Sequence, residues 1–268
     1  MLPPPGTPGT DLPVRSALSS LSDALASAGA AVLVAPPGTG KTTLVPLALA
    51  ATVPGRVLVA EPRRIAARAA ARRMAALLGE PIGGRVGYSV RGESRRSAAT
   101  RIEVVTTGLL VRRLQADPEL PGVDAVVLDE CHERHLDTDL ALAFCLDVRD
   151  ALRPDLRLLA MSATAQAERL AGLLGRDGVP VPVVEASGAL HDVDVVWSPP
   201  ATPVDPPHGL RVDPRLLGHV AATVRRALTE RAGDVLVFLP GAGEIGTVTG
   251  QLGGIDADVL PLHGRLPA

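Results

Sequence analysis

Aromatic side chains are almost absent from this sequence of 268 residues, since they make up only 1% of it. The apolar core must therefore be built from alanine, valine and leucine, and stacking of bases on aromatic rings cannot be a main mode of nucleic-acid binding.

Cysteine is also scarce. Cys131 and Cys145 lie 14 positions apart, outside any CxxC or zinc-type pattern, which predicts buried or spectator thiols and excludes redox chemistry.

The sequence has no apolar run that approaches the roughly 18 to 20 residues needed to cross a bilayer. Its first residues, MLPPPGTPGTDL, lack the basic-then-apolar order of a signal peptide. We therefore expect a cytoplasmic protein with no membrane partner. With 46% apolar and 21% charged residues and a formal net charge of -2, the composition excludes a disordered chain, a collagen and a disulfide scaffold.

Lysine is nearly missing as well, because 27 residues are basic and only Lys41 among them is a lysine. A drift toward arginine leaves lysine only where the two side chains are not interchangeable. A flexible point-charge ammonium and a planar guanidinium differ most at tight phosphate sites. Position 41 is therefore the first place to look for chemistry.

Apolar runs of strand length alternate regularly with stretches of helical periodicity. Continuous valine, leucine and isoleucine runs indicate strands that are buried on both faces, which predicts an α/β fold with a parallel sheet wrapped by helices. A first helix is expected at 14–28. The predicted strands are residues 31–35, 56–61, 101–107, 125–130 and 156–163.

The chain divides by composition into four parts. Residues 1–13 form a Pro/Gly-rich leader, 14–190 a first lobe, 191–214 a Pro-rich linker region, and 215–268 the start of a second lobe. In the second lobe we expect helices at about 214–230 and 243–252 and strands at 234–240 and 256–264. Two strands leave apolar faces open, so we expect the chain to be an N-terminal fragment.

The first predicted strand runs into APPGTGKTT (35–43) and then into a helix. This order makes an anion cradle from backbone N–H groups and a helix N-terminus. Gly38 and Gly40 let the backbone curl around a phosphate, Lys41 neutralises the terminal oxygens, and the Thr42 hydroxyl ligates Mg²⁺. The signature departs at Ala35, which stands where its first glycine is expected and costs little unless positive φ is required there.

A second candidate ligand group ends the strand AVVLDE. The carboxyl ends of parallel strands meet at one edge of a sheet, so Asp129 and Glu130 should lie beside the phosphate loop. Asp129 would hold Mg²⁺ and Glu130 would polarise the attacking water. Two alternatives remain, namely a plain surface acid pair, and a zinc cluster made by Cys131, His132 and His135.

A basic segment at residues 61–101 carries ten arginines and three acids. On its helix at 63–79, a buried apolar stripe is predicted, with Arg64, Arg68 and Arg72 together on an exposed face. Phosphate contacts from such a face are independent of sequence and sensitive to salt. We expect Arg63 and Arg64 to contact a nucleic-acid backbone, and Arg68 and Arg72 to add only a diffuse field; an ordinary solvated face is the alternative.

Together these segments resemble the DExH/DEAH-box helicases of superfamily 2. Within that family the chain is most similar to the bacterial HrpB-like ATP-dependent helicases, through EPRRIAARAAARRMA and VGYSVRGES. The resemblance covers residues 14–268. The matching motifs occur in the family's order: 35–43 as motif I, 61–68 as motif Ia, 106–110 as motif Ib, DECH at 129–132 as motif II, SAT at 162–164 as motif III and 237–245 as motif IV.

The resemblance implies two RecA-like lobes, the second incomplete here, that hydrolyse ATP or another nucleoside triphosphate with Mg²⁺ while they grip single-stranded RNA or DNA. It implies no structural metal. Motifs V and VI would lie beyond residue 268, so we expect nucleotide binding but weak or absent hydrolysis. The alternatives are a non-catalytic module that binds nucleotide and nucleic acid, and another P-loop enzyme such as a phosphotransferase.

The resemblance also assigns roles to individual residues. For some of them a purely structural role is the alternative. Thr107, between Thr106 and Gly108 of the nucleic-acid set, would then be a plain helix cap, and Ser162 and Thr164 of the coupling set would simply terminate a strand. The catalytic set is Lys41, Asp129, Glu130 and His132, with Thr42, Asp129 and Glu130 toward the metal. The nucleotide set is Gly38, Thr39, Gly40, Lys41, Thr42, Thr43 and Arg73, the last stacking on the base. The nucleic-acid set is Arg63, Arg64, Thr106, Gly108, Pro240 and Gly241, and the coupling set is Ser162, Ala163 and Thr164.

Overall fold

The computed structural model of the protein describes residues 3, 6–7, 9–163, 167–188, 192–205, 212–264 and 266. The chain forms two compact units, Met1–Leu190 and His191–Ala268. No helix in the described ranges is both long enough and apolar enough to cross a membrane.

An eight-stranded sheet forms the centre of the first unit, in the order β4-β3-β5-β2-β6-β7-β1-β8. All neighbouring strands are parallel except β3 and β4, which form an antiparallel hairpin. The strands are β1 (Ala30–Val34), β2 (Arg56–Glu61), β3 (Val86–Val90), β4 (Glu93–Arg95), β5 (Ile102–Thr106), β6 (Val123–Leu128), β7 (Arg157–Ser162) and β8 (Val183–Glu185). This confirms the predicted parallel α/β fold.

All five predicted strands are present, as β1, β2, β5, β6 and β7. The other three were not predicted because they lack a long apolar run. β3 has the sequence VGYSV, in which Gly87 is required by close packing, since a Cβ there would lie 2.5 Å from the Arg95 carbonyl oxygen. β4 and β8 have only three residues each.

Within the described residues of the first unit, these α-helices flank the sheet: α1 (Leu18–Ala28), α2 (Lys41–Leu49), α3 (Arg64–Leu77), α4 (Thr107–Ala116), α5 (Leu136–Ala151) and α6 (Ala167–Leu174). The helix predicted at 14–28 begins with a 3₁₀ turn at Pro13–Ala17, and α1 follows it. A second 3₁₀ turn, Cys131–Glu133, follows β6. The apolar core lies on both faces of the sheet, as β6 shows: Ala125 and Val127 belong to one cluster and Val126 and Leu128 to the other.

Helix α3 buries the predicted stripe, and Ala67, Ala71 and Met74 are fully enclosed. The prediction that Arg68 lies on an exposed face is wrong. The side chain of Arg68 is 14% exposed and donates from Nε and Nη2 to the Glu93 carboxylate, at 2.9 and 2.5 Å. The Tyr88 hydroxyl donates to the same carboxylate. Arg68 therefore fastens the β3-β4 hairpin to α3.

The second unit contains α7 (Pro214–Glu230) and α8 (Ala242–Gln251), as predicted. The strands predicted at 234–240 and 256–264 do not form in the described residues. Val237 and Leu239 pack against the two helices, whereas Leu236 and Phe238, which alternate with them along the chain, are exposed. Alternate burial gives the segment an apolar face, but a strand also needs a neighbour for its backbone hydrogen bonds.

Candidate nucleotide and nucleic-acid site

The phosphate loop between β1 and α2 has the curled shape that its glycines predict. Gly38 and Gly40 have φ of +79° and +89°, in the left-handed region that favours glycine. The Thr39 hydroxyl donates to the Pro36 carbonyl at 2.7 Å. Ala35 lies outside the left-handed region, so alanine at the first signature position causes no backbone strain.

Asp129 meets this loop through Thr42, which starts the helix with Lys41 and Thr43. The Thr42 hydroxyl donates to Asp129 Oδ2 at 2.6 Å, across 87 positions of sequence. The other carboxylate oxygen accepts the Glu130 backbone N–H at 2.8 Å, and the Thr43 hydroxyl donates to the Gly40 carbonyl at 3.2 Å. The carboxyl ends of β1 and β6 thus bring the predicted metal ligands together at one edge of the sheet, hereafter the carboxyl edge.

Lys41 and Glu130 also lie side by side at the carboxyl edge. Lys41 is 4% exposed, and its Nζ is 3.3 Å from Glu130 Oε1, yet within the described part of the chain it has no hydrogen-bond partner. An ammonium that is desolvated without acceptors is costly, and phosphate oxygens would supply them. Glu130 has φ +53° and ψ +37°, a strained conformation of the kind that collects at functional sites.

His132 connects the DECH segment to the end of β7. Its Nδ1 accepts the Ala163 backbone N–H at 3.2 Å. Glu130 Oε2 is 3.4 Å from the same Nδ1. The Ser162 carbonyl accepts the Ala35 N–H at 3.0 Å. These contacts join the predicted coupling segment to the nucleotide site; Thr164 lies outside the described residues.

Glu61, at the carboxyl end of β2, is a further residue of the site, with no role predicted from its sequence motif. It is 2% exposed, and burial, followed by the charge of Asp129 and a hydrogen bond with it, raises its pKa to about 9 from an ordinary value of 4.5. Its Oε1 has no hydrogen-bond partner in the described structure. The signal was an acid that ends a buried strand, but only the adjacency of β2 and β6 places it beside Asp129.

The donor set at the carboxyl edge fits a magnesium ion. Mg²⁺ takes oxygen ligands, and in nucleotide sites one or two carboxylates suffice because phosphates and water complete the octahedron. Thr42 and Asp129 offer a hydroxyl and a carboxylate within hydrogen-bond distance of each other. Asp129 and Glu130 place two carboxylates beside one ammonium and beside the buried carboxyl group of Glu61, and a divalent cation would relieve the repulsion between the negative charges.

The zinc alternative has no support in the described residues, where no group of three or more His, Cys, Asp or Glu side chains could hold a metal ion. The Cys131 thiol donates to the Leu128 carbonyl at 3.3 Å, and burial raises its pKa to about 12. A zinc ligand must be a thiolate. Cys131 and Cys145 are both free, buried thiols.

The predicted nucleic-acid residues of the first unit follow the ends of β2 and β5, which are neighbours in the sheet. Arg63 is 67% exposed, and its Nη2 donates to Glu133 Oε1 at 2.6 Å. Arg64 begins α3 and is exposed. Thr106, not Thr107, is the cap residue of α4, and it makes no side-chain capping bond. The plain-cap alternative for Thr107 is therefore wrong.

Other residues of the predicted sets lie away from these strand ends. Arg73 is exposed on α3, with Nη2 3.5 Å from the Gly9 carbonyl oxygen. Pro240 and Gly241 immediately precede α8 in the second unit. The β3-β4 turn adds a cation that the sequence analysis did not single out: Arg91 is exposed directly after β3, whose carboxyl end lies beside that of β5.

Known proteins are similar to this chain in sequence and in fold. A family model described as DEAD/DEAH box helicase matches residues 17–171. The chain is 44% identical over 262 residues to the ATP-dependent RNA helicase HrpB of Escherichia coli (strain K12), covering 96% of this chain and 31% of that protein. It is 37% identical over 244 residues to the probable ATP-dependent RNA helicase DHX34 of Mus musculus, covering 85% of this chain and 20% of that protein.

Among solved structures, the crystal structure of E. coli DEAH/RHA helicase HrpB superposes with a TM-score of 0.80 at 44% identity, covering 96% of this chain and 32% of that one. The chain thus spans about a third of the length of HrpB and about a fifth of the length of DHX34.

Proposed function

The chain belongs to the DEAD/DEAH box helicase family, and on that premise we propose that it binds a nucleoside triphosphate with Mg²⁺ at the carboxyl edge and couples hydrolysis to movement along single-stranded nucleic acid. The observation that carries the proposal is the meeting of the two motifs, in which Thr42 contacts Asp129 at 2.6 Å and Lys41 lies 3.3 Å from Glu130. Asp129 at the first contact and Glu130 at the second are the two carboxylates that phosphoryl transfer requires next to a phosphate loop, one to hold Mg²⁺ and one to position the attacking water.

Each of these residues has a distinct task. The backbone N–H groups around Gly38 and Gly40 would receive phosphate oxygens, and Lys41 would exchange its contact with Glu130 for the terminal phosphates. Glu130, thereby released, would orient and deprotonate the attacking water. Bound Mg²⁺, held by Thr42 and Asp129, would neutralise charge that develops on the phosphates.

His132, which is predicted as a catalytic residue, contacts the Ala163 N–H. This contact supports a further task for His132, which would be to pass the nucleotide state from DECH to the segment after β7. The buried position of Ser162, whose carbonyl accepts from Ala35, supports a coupling task for this residue too.

For the nucleic acid, we propose contacts with backbone phosphates at the ends of β2 and β5. Arg63 and Arg64 come soon after β2, Thr106 ends β5 with Gly108 two residues further on, and exposed Arg91 directly follows β3, the neighbour of β5. Such contacts read no base sequence. Because the names of the relatives state RNA helicase, we propose RNA as the strand. The free thiols fit the reducing cytoplasm that we propose as its location.

The test is nucleotide binding by the Lys41→Ala variant, measured with a fluorescent ATP analogue in Mg²⁺. A lost charge-assisted contact with phosphate should weaken affinity by about 10- to 100-fold. The matched control is Arg112→Ala, which removes an exposed cation from α4 and should leave affinity unchanged. Equal affinity in the wild type and in Lys41→Ala would contradict the assignment of the phosphate loop.

A further inference from the structure

The leader runs across the phosphate loop. The Val14 N–H donates to the Thr39 carbonyl at 3.1 Å, which ties residue 14 to the loop itself. Thr10 is fully buried, and its N–H and hydroxyl both bond to the Thr7 carbonyl, at 3.0 and 2.8 Å. Arg15 donates to the carbonyls of Thr10 and Pro3. We name residues 9–14 the strap.

Leu12 is the point at which the strap contacts the turn into α2. A Cβ on Gly40 would lie 2.5 Å from Leu12 Cδ1 and 2.9 Å from Leu12 Cβ, so the leucine side chain lies directly on that glycine. Gly40 has φ +89° and precedes Lys41, the first residue of α2. A loop whose glycines allow many conformations is thereby covered on one side by a fixed apolar side chain.

The other end of the strap meets Arg73. Gly9 has φ +78°, and a Cβ there would lie 2.1 Å from Arg73 Nη2, so the guanidinium rests against the glycine backbone. Its contact with the Gly9 carbonyl, at 3.5 Å, sets the direction of a long side chain that is otherwise exposed. The strap thus bridges the phosphate loop and the arginine expected at the base.

We propose that the strap is a structural wall of the nucleoside triphosphate site, in which Leu12 and Val14 hold the phosphate loop in its binding shape and Gly9 positions Arg73 for the base. This rests on the proposed nucleotide function and assigns to the leader a task that no motif carries. The residues act through others, as positioning residues. Preorganising a loop and a long side chain before binding reduces the entropy that the ligand must overcome.

The two ends of the strap make separable predictions, because inorganic triphosphate contains the phosphates without the base. Leu12→Ala should weaken binding of both ATP and inorganic triphosphate by about three- to tenfold, the scale of ordering a few groups. Leu12→Met should restore both, since it refills the apolar contact. Leu21→Ala, which truncates a buried leucine of α1, is the control for loss of stability alone.

Gly9→Ala should weaken ATP by about three- to tenfold and leave inorganic triphosphate unchanged, because only Arg73 is displaced. The matched control is Gly6→Ala. Gly6 has a similar φ, +83°, but no atom of the described residues lies within 4 Å of its would-be Cβ, so this variant reproduces the backbone strain without touching Arg73.

Affinities should be measured by calorimetry, and hydrogen exchange of the residue 38–41 amides should be followed without ligand. Exchange should quicken in Leu12→Ala and not in Leu21→Ala. Wild-type affinities and exchange in both Leu12→Ala and Gly9→Ala, with Lys41→Ala still defective, would overturn the strap and leave the proposed function standing. A wild-type chain that binds neither ligand would overturn both proposals.

Discussion

Replacing Glu61 by glutamine should make the first unit more stable at neutral pH. The Glu61 carboxyl is buried beside Asp129, and its pKa is raised from 4.5 to about 9. In the folded chain it therefore holds a proton at pH 7, which the unfolded chain releases above its ordinary pKa. The contribution of Glu61 to stability is fully present below pH 4.5 and is lost progressively as the pH rises toward 9.

The size of the stability difference between Glu61→Gln and wild type follows from the rise in the pKa of Glu61. Each pH unit above the ordinary value costs the folded state about 1.4 kcal/mol, so at pH 7 the penalty approaches about 3 kcal/mol. Glutamine is neutral in both states, keeps the shape, and can donate an amide N–H to Asp129. Glu61→Gln should therefore gain up to about 3 kcal/mol over wild type at pH 7 and almost nothing near pH 4.5.

The assay is urea unfolding at a series of pH values between 5 and 8.5, with a chelator present and no nucleotide. The control is Glu119→Gln, an exposed glutamate whose replacement should leave the pH dependence of wild type intact. Identical slopes of unfolding free energy against pH in wild type and Glu61→Gln would refute the assignment of a buried, protonated carboxyl.

Three further perturbations test the rest of the site. In a version of the chain extended through motifs V and VI, Glu130→Gln should retain Mg-ATP but slow hydrolysis, in a steady-state phosphate assay, by about 10² or more relative to the unsubstituted extended chain. Asp129→Asn should raise the Mg²⁺ concentration needed for nucleotide binding, and wild-type behaviour of both variants would mean that DECH is not the catalytic site. The double variant Arg63→Ala with Arg64→Ala should bind a labelled oligonucleotide more weakly, about equally for all sequences, and the slope of log affinity against log salt concentration should fall by roughly 0.7 per lost phosphate contact. An unchanged slope would mean that these arginines belong to an ordinary solvated face. Arg68→Ala should lower the melting temperature, because it leaves Glu93 and the β3-β4 hairpin without their bond to α3; a melting temperature equal to that of Arg72→Ala, an exposed neighbour, would contradict this.

Local sequence patterns determine most of the strands of the first unit and the position of the phosphate loop. The continuous apolar runs of β1, β2, β5, β6 and β7 are typical of strands buried on both faces, and the structure confirms them. The phosphate loop is recognisable because a strand, two glycines, a lysine and a threonine coincide over nine residues. These signals survive in the sequence because the physical requirement is itself local: a backbone conformation, a helix start, a two-sided apolar run.

Tertiary structure decided the order in which these elements lie side by side. Because β2 lies between β5 and β6, Glu61 becomes a third carboxyl group beside Asp129. No spacing along the chain indicates this neighbour. Likewise, helical periodicity gave Arg68 an exposed direction on α3, but the hairpin that packs there depends on pairing of β3 with β5, which lies further along the chain.

The Pro/Gly-rich leader shows most clearly the difference between what the sequence determines and what the tertiary structure determines. Its prolines and glycines exclude regular structure, which is all that composition can state about it. Its contacts with Gly40 and Arg73 join residues about 28 and 64 positions apart, a closure that local propensity does not encode. The sequence determined which residues can hold a phosphate and a metal, and the sheet and the packed leader decided which other side chains surround them, because those neighbours are set by long-range packing rather than by local conformation.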